Sequence, residues 1–313
     1  MSTAKHPVAP EFAGGQDPFE GDLETPFKSP VQPVQLSLDS TIQFNCHKGI
    51  ACFNECCRNI DITLTPYDIV RLKRRLQLSS SELVARHTMP YEMDQHGMPG
   101  LKMLTKPGTS ECVFLAPEGC GVYEDRPAAC RYYALGSMGV RKKEASEGED
   151  VYFLVKEPHC LGHFEPRTLT VRDYRQEQGV DVYDEMNREW RDIILKKRSS
   201  GPTVGRPSDR SFQLFDMCSY DVDSFRAFIQ SPGFQEVFTL EAATLEPLLR
   251  DEDALLRFAF RFLKQVLFGE ITIPLKEGAR ENRLAQAKER HAQRQAELAA
   301  QAQQQADERY GEE

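Results

Sequence analysis

The chain has no long uninterrupted apolar run. Its most apolar late stretch, ALLRFAFRFLKQVLFG, carries Arg257, Arg261 and Lys264. It falls short of the about 20 apolar residues that a ~30 Å bilayer core requires, so no membrane association is expected. The opening residues MSTAKHPVAPEF lack the apolar centre of a secretory signal, and a cytoplasmic location is the expectation. Excess positive charge is also lacking. With 39 Lys and Arg against 48 Asp and Glu, the net charge of −9 argues against a nonspecific grip on nucleic-acid phosphates. A glycine-rich phosphate loop, a Ser/His/Asp arrangement and paired carboxylates at a defined spacing are all missing, so no catalytic residue can be named.

Cysteine, by contrast, is abundant: there are nine. In a reducing compartment, clustered cysteines bind metal or do redox chemistry more often than they form disulfides. Eight lie between positions 46 and 160, in two groups. The first is Cys46, Cys52, Cys56 and Cys57; the second is Cys112, Cys120 and Cys130, with Cys160 further on. Cys218 stands apart and reads as a small core residue.

Thiolate is a soft ligand suited to zinc, iron–sulfur clusters and cuprous copper. Four thiolates can fix a zinc ion at Zn–S near ~2.3 Å or hold a four-iron cubane. The spacings here match neither paired C-x2-C motifs nor the ferredoxin run, so they point to a metal without naming it. The eight cysteines are the candidate ligands, and a 4Fe-4S cluster or zinc is the candidate cofactor. Buried free thiols and reversible disulfide sensing are the alternatives.

The adjacent pair Cys56 and Cys57 carries more information. Neighbouring side chains diverge on both strands and helices, and gripping one ion with both closes a strained ring. Either the two serve different metals or only one is a ligand. Eight cysteines can supply two four-thiolate sites, or one four-iron cluster with spare thiols. His47, His159 and His163 adjoin or lie near cysteines and are weaker ligand candidates. In EDRPAACRYY, Pro127 suits the first turn of a short helix carrying Cys130, whose positive end would stabilise thiolate. Arg126 and Arg131 are candidate donors to ligand sulfur.

The expected fold class is α+β: an irregular cysteine-rich metal-binding domain of short strands and helices, then an all-helical half and a polar tail. The expected divisions are a disordered arm at 1–35, the cysteine domain at 36–166, a helical region at 167–276 and an Ala/Gln-rich tail at 277–313. VQLSLDSTIQFNC alternates like a strand. Thr65 with Asp68 in the first turn, Ser79 with Glu82, and Thr170 with Asp173 mark three helix starts. GLKML and CVFLA read as two short strands joined through the turn at KPGTS, and VYFLV as another strand. Tyr183, Met186, Trp190, Ile193 and Ile194 share one face of a helix. SSGPTVGRPSDR reads as a linker, followed by helices over 222–230 and 244–268, with Phe258 and Phe262 in the core.

FNCHKGIACFNECCRNIDITLTPYDIVRLKRRL, followed by CVFLAPEGCGVYEDRPAACRYYALG, resembles the YkgJ family of cysteine-cluster proteins over about residues 40–165. The likeness runs in order through the first four cysteines, LTPYDI, C-x-FL, C-x-VY, RP-x-x-C-R and Cys160. Five residues separate Cys46 from Cys52 and three separate Cys52 from Cys56, a departure from the family's CxxCxxCC label. The resemblance implies zinc or iron chelation, with iron–sulfur often assumed, and no established reaction; a metal-binding module whose cluster serves redox or electron transfer is the first expectation. A zinc-stabilised interaction module is the alternative. A remoter one is a protein-modifying enzyme like the flagellin lysine N-methylases, although no strand-to-helix glycine turn for S-adenosylmethionine is present. Any protein partner is expected at the helical half or the tail.

Overall fold

The computed structural model describes residues 30–94, 97–140, 149–199 and 207–279, with scattered positions between 281 and 295. Most of the expected arm, residues 141–148, most of the linker and nearly all of the polar tail lie outside these residues.

The fold is α+β. Strands β1 (Val31–Leu36), β2 (Thr41–Gln43) and β3 (Thr63–Leu64) lead to helices α1 (Pro66–Leu76) and α2 (Ser80–His87). Next come β4 (Thr88–Glu92), β5 (Pro99–Met103), β6 (Leu115–Ala116), β7 (Gly119–Cys120) and the five-residue helix α3 (Ala128–Tyr132). After β8 (Leu135–Val140), β9 (Glu149–Val155) and β10 (Thr168–Thr170), the chain is helical. The helices are α4 (Val171–Gln178), α5 (Val180–Ser199), α6 (Asp209–Tyr220), α7 (Val222–Ile229), α8 (Pro232–Gln235), α9 (Ala242–Arg250) and α10 (Glu252–Phe268). The strands form small antiparallel sheets in the orders β1-β9-β8, β10-β2, β3-β5-β4 and β6-β7.

Sequence caps explain the helix starts. Thr65, Ser79 and Thr170 each accept from the backbone N–H three residues on, and Asp68, Glu82 and Asp173 each return the bond. Gly179 closes α4 at φ 63°, a left-handed position that glycine takes without penalty.

Three expectations need correction. Residues 31–35, expected in the arm, belong to β1, which pairs with β9. CVFLA does not pair with GLKML as a hairpin: β5 lies between β3 and β4, and β6 pairs with β7. The apparent link survives only as an isolated bridge between Thr105 and Cys112. Asp209 and Arg210, counted in the linker, open helix α6, while the helical span expected over 244–268 comes as two helices, α9 and α10, parted at Asp251. That carboxylate caps α10 by accepting from Asp253 N–H.

Two cores result. The larger joins Leu64, Ile69, Leu72 and Met103 of the first half to Trp190, Phe215, Phe225, Phe258 and Phe262 of the helical half. The smaller gathers Ile42, Phe44, Tyr132, Tyr152, Leu169 and Tyr174. The expected inward face of α5 is buried, as are Phe258 and Phe262. Among the described residues, no helix is long and apolar enough to cross a membrane.

Candidate metal centre

A cavity of about 570 Å³ opens between the two cores, and Cys46, Cys52, Cys56, Cys57, Cys112, Cys120, Cys130 and Cys160 all line it. Cys218 does not; it is fully buried on α6 in the larger core.

Each thiol reaches the cavity by a local device. Asn54 takes a left-handed φ of 69° and starts a short turn of helix over Glu55–Cys57; asparagine tolerates that region better than most residues. The turn brings Cys56 Sγ and Cys57 Sγ to 4.0 Å. Cys112 N–H donates to the Cys57 carbonyl at 2.8 Å. In the β6–β7 pair, Leu115 stands opposite Cys120. Asp68 positions α3 and so Cys130: its Oδ1 accepts from Ala128 N–H at 2.8 Å, while Oδ2 accepts from Thr65 N–H at 2.8 Å. Cys160 opens a turn at Leu161–Phe164. Leu161 N–H donates to Cys52 Sγ at 3.2 Å, and Asn45 N–H donates to the Gly162 carbonyl at 3.0 Å.

The electrostatics are those of crowded thiols. Burial pushes the Cys46 pKa up to about 11, and the charges of Cys56, Cys52 and Cys160 add to this while Arg126 opposes it. Burial also raises Cys112, Cys120, Cys130 and Cys160. Cys57 is raised because it donates its proton to Cys56, which is correspondingly lowered. The expected thiolate-stabilising helix end at Cys130 is therefore outweighed: one short helix offers little against desolvation and the neighbouring thiols.

The auxiliary candidates separate. Arg126 lines the cavity, donates to the Tyr123 carbonyl and Gln178, and its charge favours thiolate at Cys46 and Cys120. Arg131, expected to serve ligand sulfur, instead donates to the carbonyls of Arg126, Gln178 and Glu124 and lies over the Tyr183 ring. His47 and His159 line the cavity but pair with Glu165 and Glu157. His163 contacts the Val155 carbonyl through Nε2. Sequence reasoning missed two residues here: Asp68, and Tyr133, whose buried hydroxyl lies near Cys160 and Glu157. The Asp68 cap was legible in LTPYD, but its second partner lies 60 residues away.

The donor set fits a thiophilic metal. Six of the thiols have their protons held by burial and mutual repulsion, a cost that a bound cation relieves by favouring the thiolate form. Among the described residues, however, no three Cys, His, Asp or Glu side chains are drawn close enough to hold a single ion. The sulfurs surround a volume rather than converge on a point.

Comparison with known proteins agrees with the chemistry. Residues 45–161 match the model of the CxxCxxCC family, described as a "putative zinc- or iron-chelating domain". No curated protein and no solved structure matches the chain. The cysteine-lined part of this molecule, residues 45–161, is thus similar to the CxxCxxCC family over a little more than a third of the chain.

Proposed function

We propose that the cavity holds an iron–sulfur centre of the 4Fe-4S type and that the protein works in redox or electron transfer. The observation that carries this reading is the gathering of eight thiols around one cavity of about 570 Å³. A multi-iron cluster spreads its thiolates over its own body, whereas one zinc draws four sulfurs together. When bound, such a cluster takes up and releases single electrons. Arg126 and Lys48 line the same cavity and supply positive charge against the net −2 of a four-thiolate, four-iron cluster. Cys46 and Cys56 are exposed, which leaves one side of the centre open to an electron-transfer partner.

Zinc stays the second reading because the family description names it beside iron. Anaerobic purification of the full chain, with metal and acid-labile sulfide analysis and a visible spectrum, decides between them. A brown protein with iron and sulfide in equal amounts is expected. A colourless, air-stable zinc protein would overturn the redox reading.

A further inference from the structure

We propose that the eight cysteines form two neighbouring four-thiolate centres, Cys46, Cys52, Cys56 and Cys160 in one and Cys57, Cys112, Cys120 and Cys130 in the other, with the Cys56–Cys57 peptide as their seam. This rests on the metal-binding reading above and specifies the division of its ligands.

The backbone makes the division. The first set is tied together across the chain: Leu161 N–H donates to Cys52 Sγ, and Asn45 N–H donates to the Gly162 carbonyl. These bonds join the strip bearing Cys46 and Cys52 to the turn bearing Cys160. The second set is tied on the other side of the cavity. Cys112 N–H donates to the Cys57 carbonyl, Leu115 N–H to the Cys112 carbonyl at 3.0 Å, and Leu115 stands opposite Cys120. Helix α3 packs on β3 and brings in Cys130.

A separation of 4.0 Å between Cys56 and Cys57 sulfurs does not by itself part them, since it is close to the ~3.8 Å edge of a four-sulfur zinc tetrahedron. Their backbone ties part them: the Cys57 carbonyl accepts from Cys112 N–H on one side of the cavity, while the strip ahead of Cys56 is bonded to the Cys160 turn on the other. The pair would give the two centres a direct covalent connection through one peptide unit.

The test uses the anaerobically purified full chain, read by metal content per chain and by mass-mapped alkylation of unprotected thiols. Cys46→Ser and Cys160→Ser should each halve the metal and expose the remaining members of the first set only. Cys112→Ser and Cys130→Ser should halve it and expose the second set only. The double variant within a set should lose no more than either single one, while a Cys46→Ser, Cys130→Ser double variant should lose nearly all. Circular dichroism screens the variants for folding. Where one fails, cobalt(II) titrated into the metal-free wild-type chain gives a second reading: at half saturation, protection should appear as one or both four-cysteine blocks. Loss of the same metal from every single variant, or half-saturation protection that mixes the sets, would overturn the division while leaving metal binding intact. A wild-type chain with no metal would overturn both readings.

Discussion

Cys130, half-buried, and Cys218, fully buried, both sit on helices, yet they face different surroundings. Cys130 looks into the cavity beside Cys112 and Cys120, whereas Cys218 sits in the larger core. Replacing Cys218 with Ala should leave metal content unchanged and cost about 1 kcal/mol of stability for the lost packing, checked by metal analysis and thermal melting; Cys130→Ala should lose metal. The distinction was legible because thiol chemistry and isolation along the chain both show in sequence. Asp68 was half legible. Its capping role follows from Thr65, but its hold on Ala128 depends on the fold. Burial pushes its pKa up to about 6 from an unfolded value near 4. A raised folded-state pKa favours folding fully below the unfolded value, and that contribution is lost as pH rises through the folded value. Relative to Asp68→Asn, which does not titrate, the wild-type chain should therefore lose up to ~3 kcal/mol of advantage between pH 4 and pH 7. Denaturant melts of both proteins across that range check it; a constant difference would contradict it.

At the scale of elements, the legible features are those set by near neighbours. Three capping boxes and the buried stripe of α5 all follow from spacings of three or four residues. The misread features depend on distant partners or on competing signals. β6 is two residues long and gains its identity from β7. α6 was hidden beneath the Gly, Pro and Ser just before it, and the boundary between α9 and α10 rests on one aspartate within a helical composition. The turn after Cys160 shows how closely elements meet at the site. A Cβ on Gly162 would lie 2.8 Å from Phe44 Cε2 and 3.1 Å from the Asn45 carbonyl oxygen. Gly162→Ala should cost about 1–3 kcal/mol through overpacking and loosen the Cys160 turn from the Cys46 strip. Faster metal release to a chelator, relative to wild type, is the expected readout.

Across the whole molecule, the cavity sits where the two cores approach one another, and polar ties bind the halves elsewhere. Lys73 on α1 donates to Asp223 on α7 at 2.9 Å and to Glu252 on α10. Arg74 donates to Glu252 and Asp253, both at 2.7 Å, and Ser80 N–H to Asp223 at 2.8 Å. Lys73→Met should destabilise the chain by about 1–3 kcal/mol, since it strips a charged donor from two carboxylates, with metal content unaffected; loss of metal in this variant would mean that the network shapes the centre as well. Neither the pairing of residues 143 to 179 positions apart nor the closing of eight thiols around one volume can be read from linear spacing. The sequence announces the cysteines, and tertiary packing gathers eight of them around one cavity. The central claim is that these thiols are metal ligands, and the most direct test is to count thiols on the anaerobically purified, native full chain before and after metal removal. The account predicts bound iron or zinc and eight thiols that resist alkylation until a strong chelator is added, with Cys218 reacting only on unfolding. A metal-free protein whose cavity thiols all react at once would contradict it.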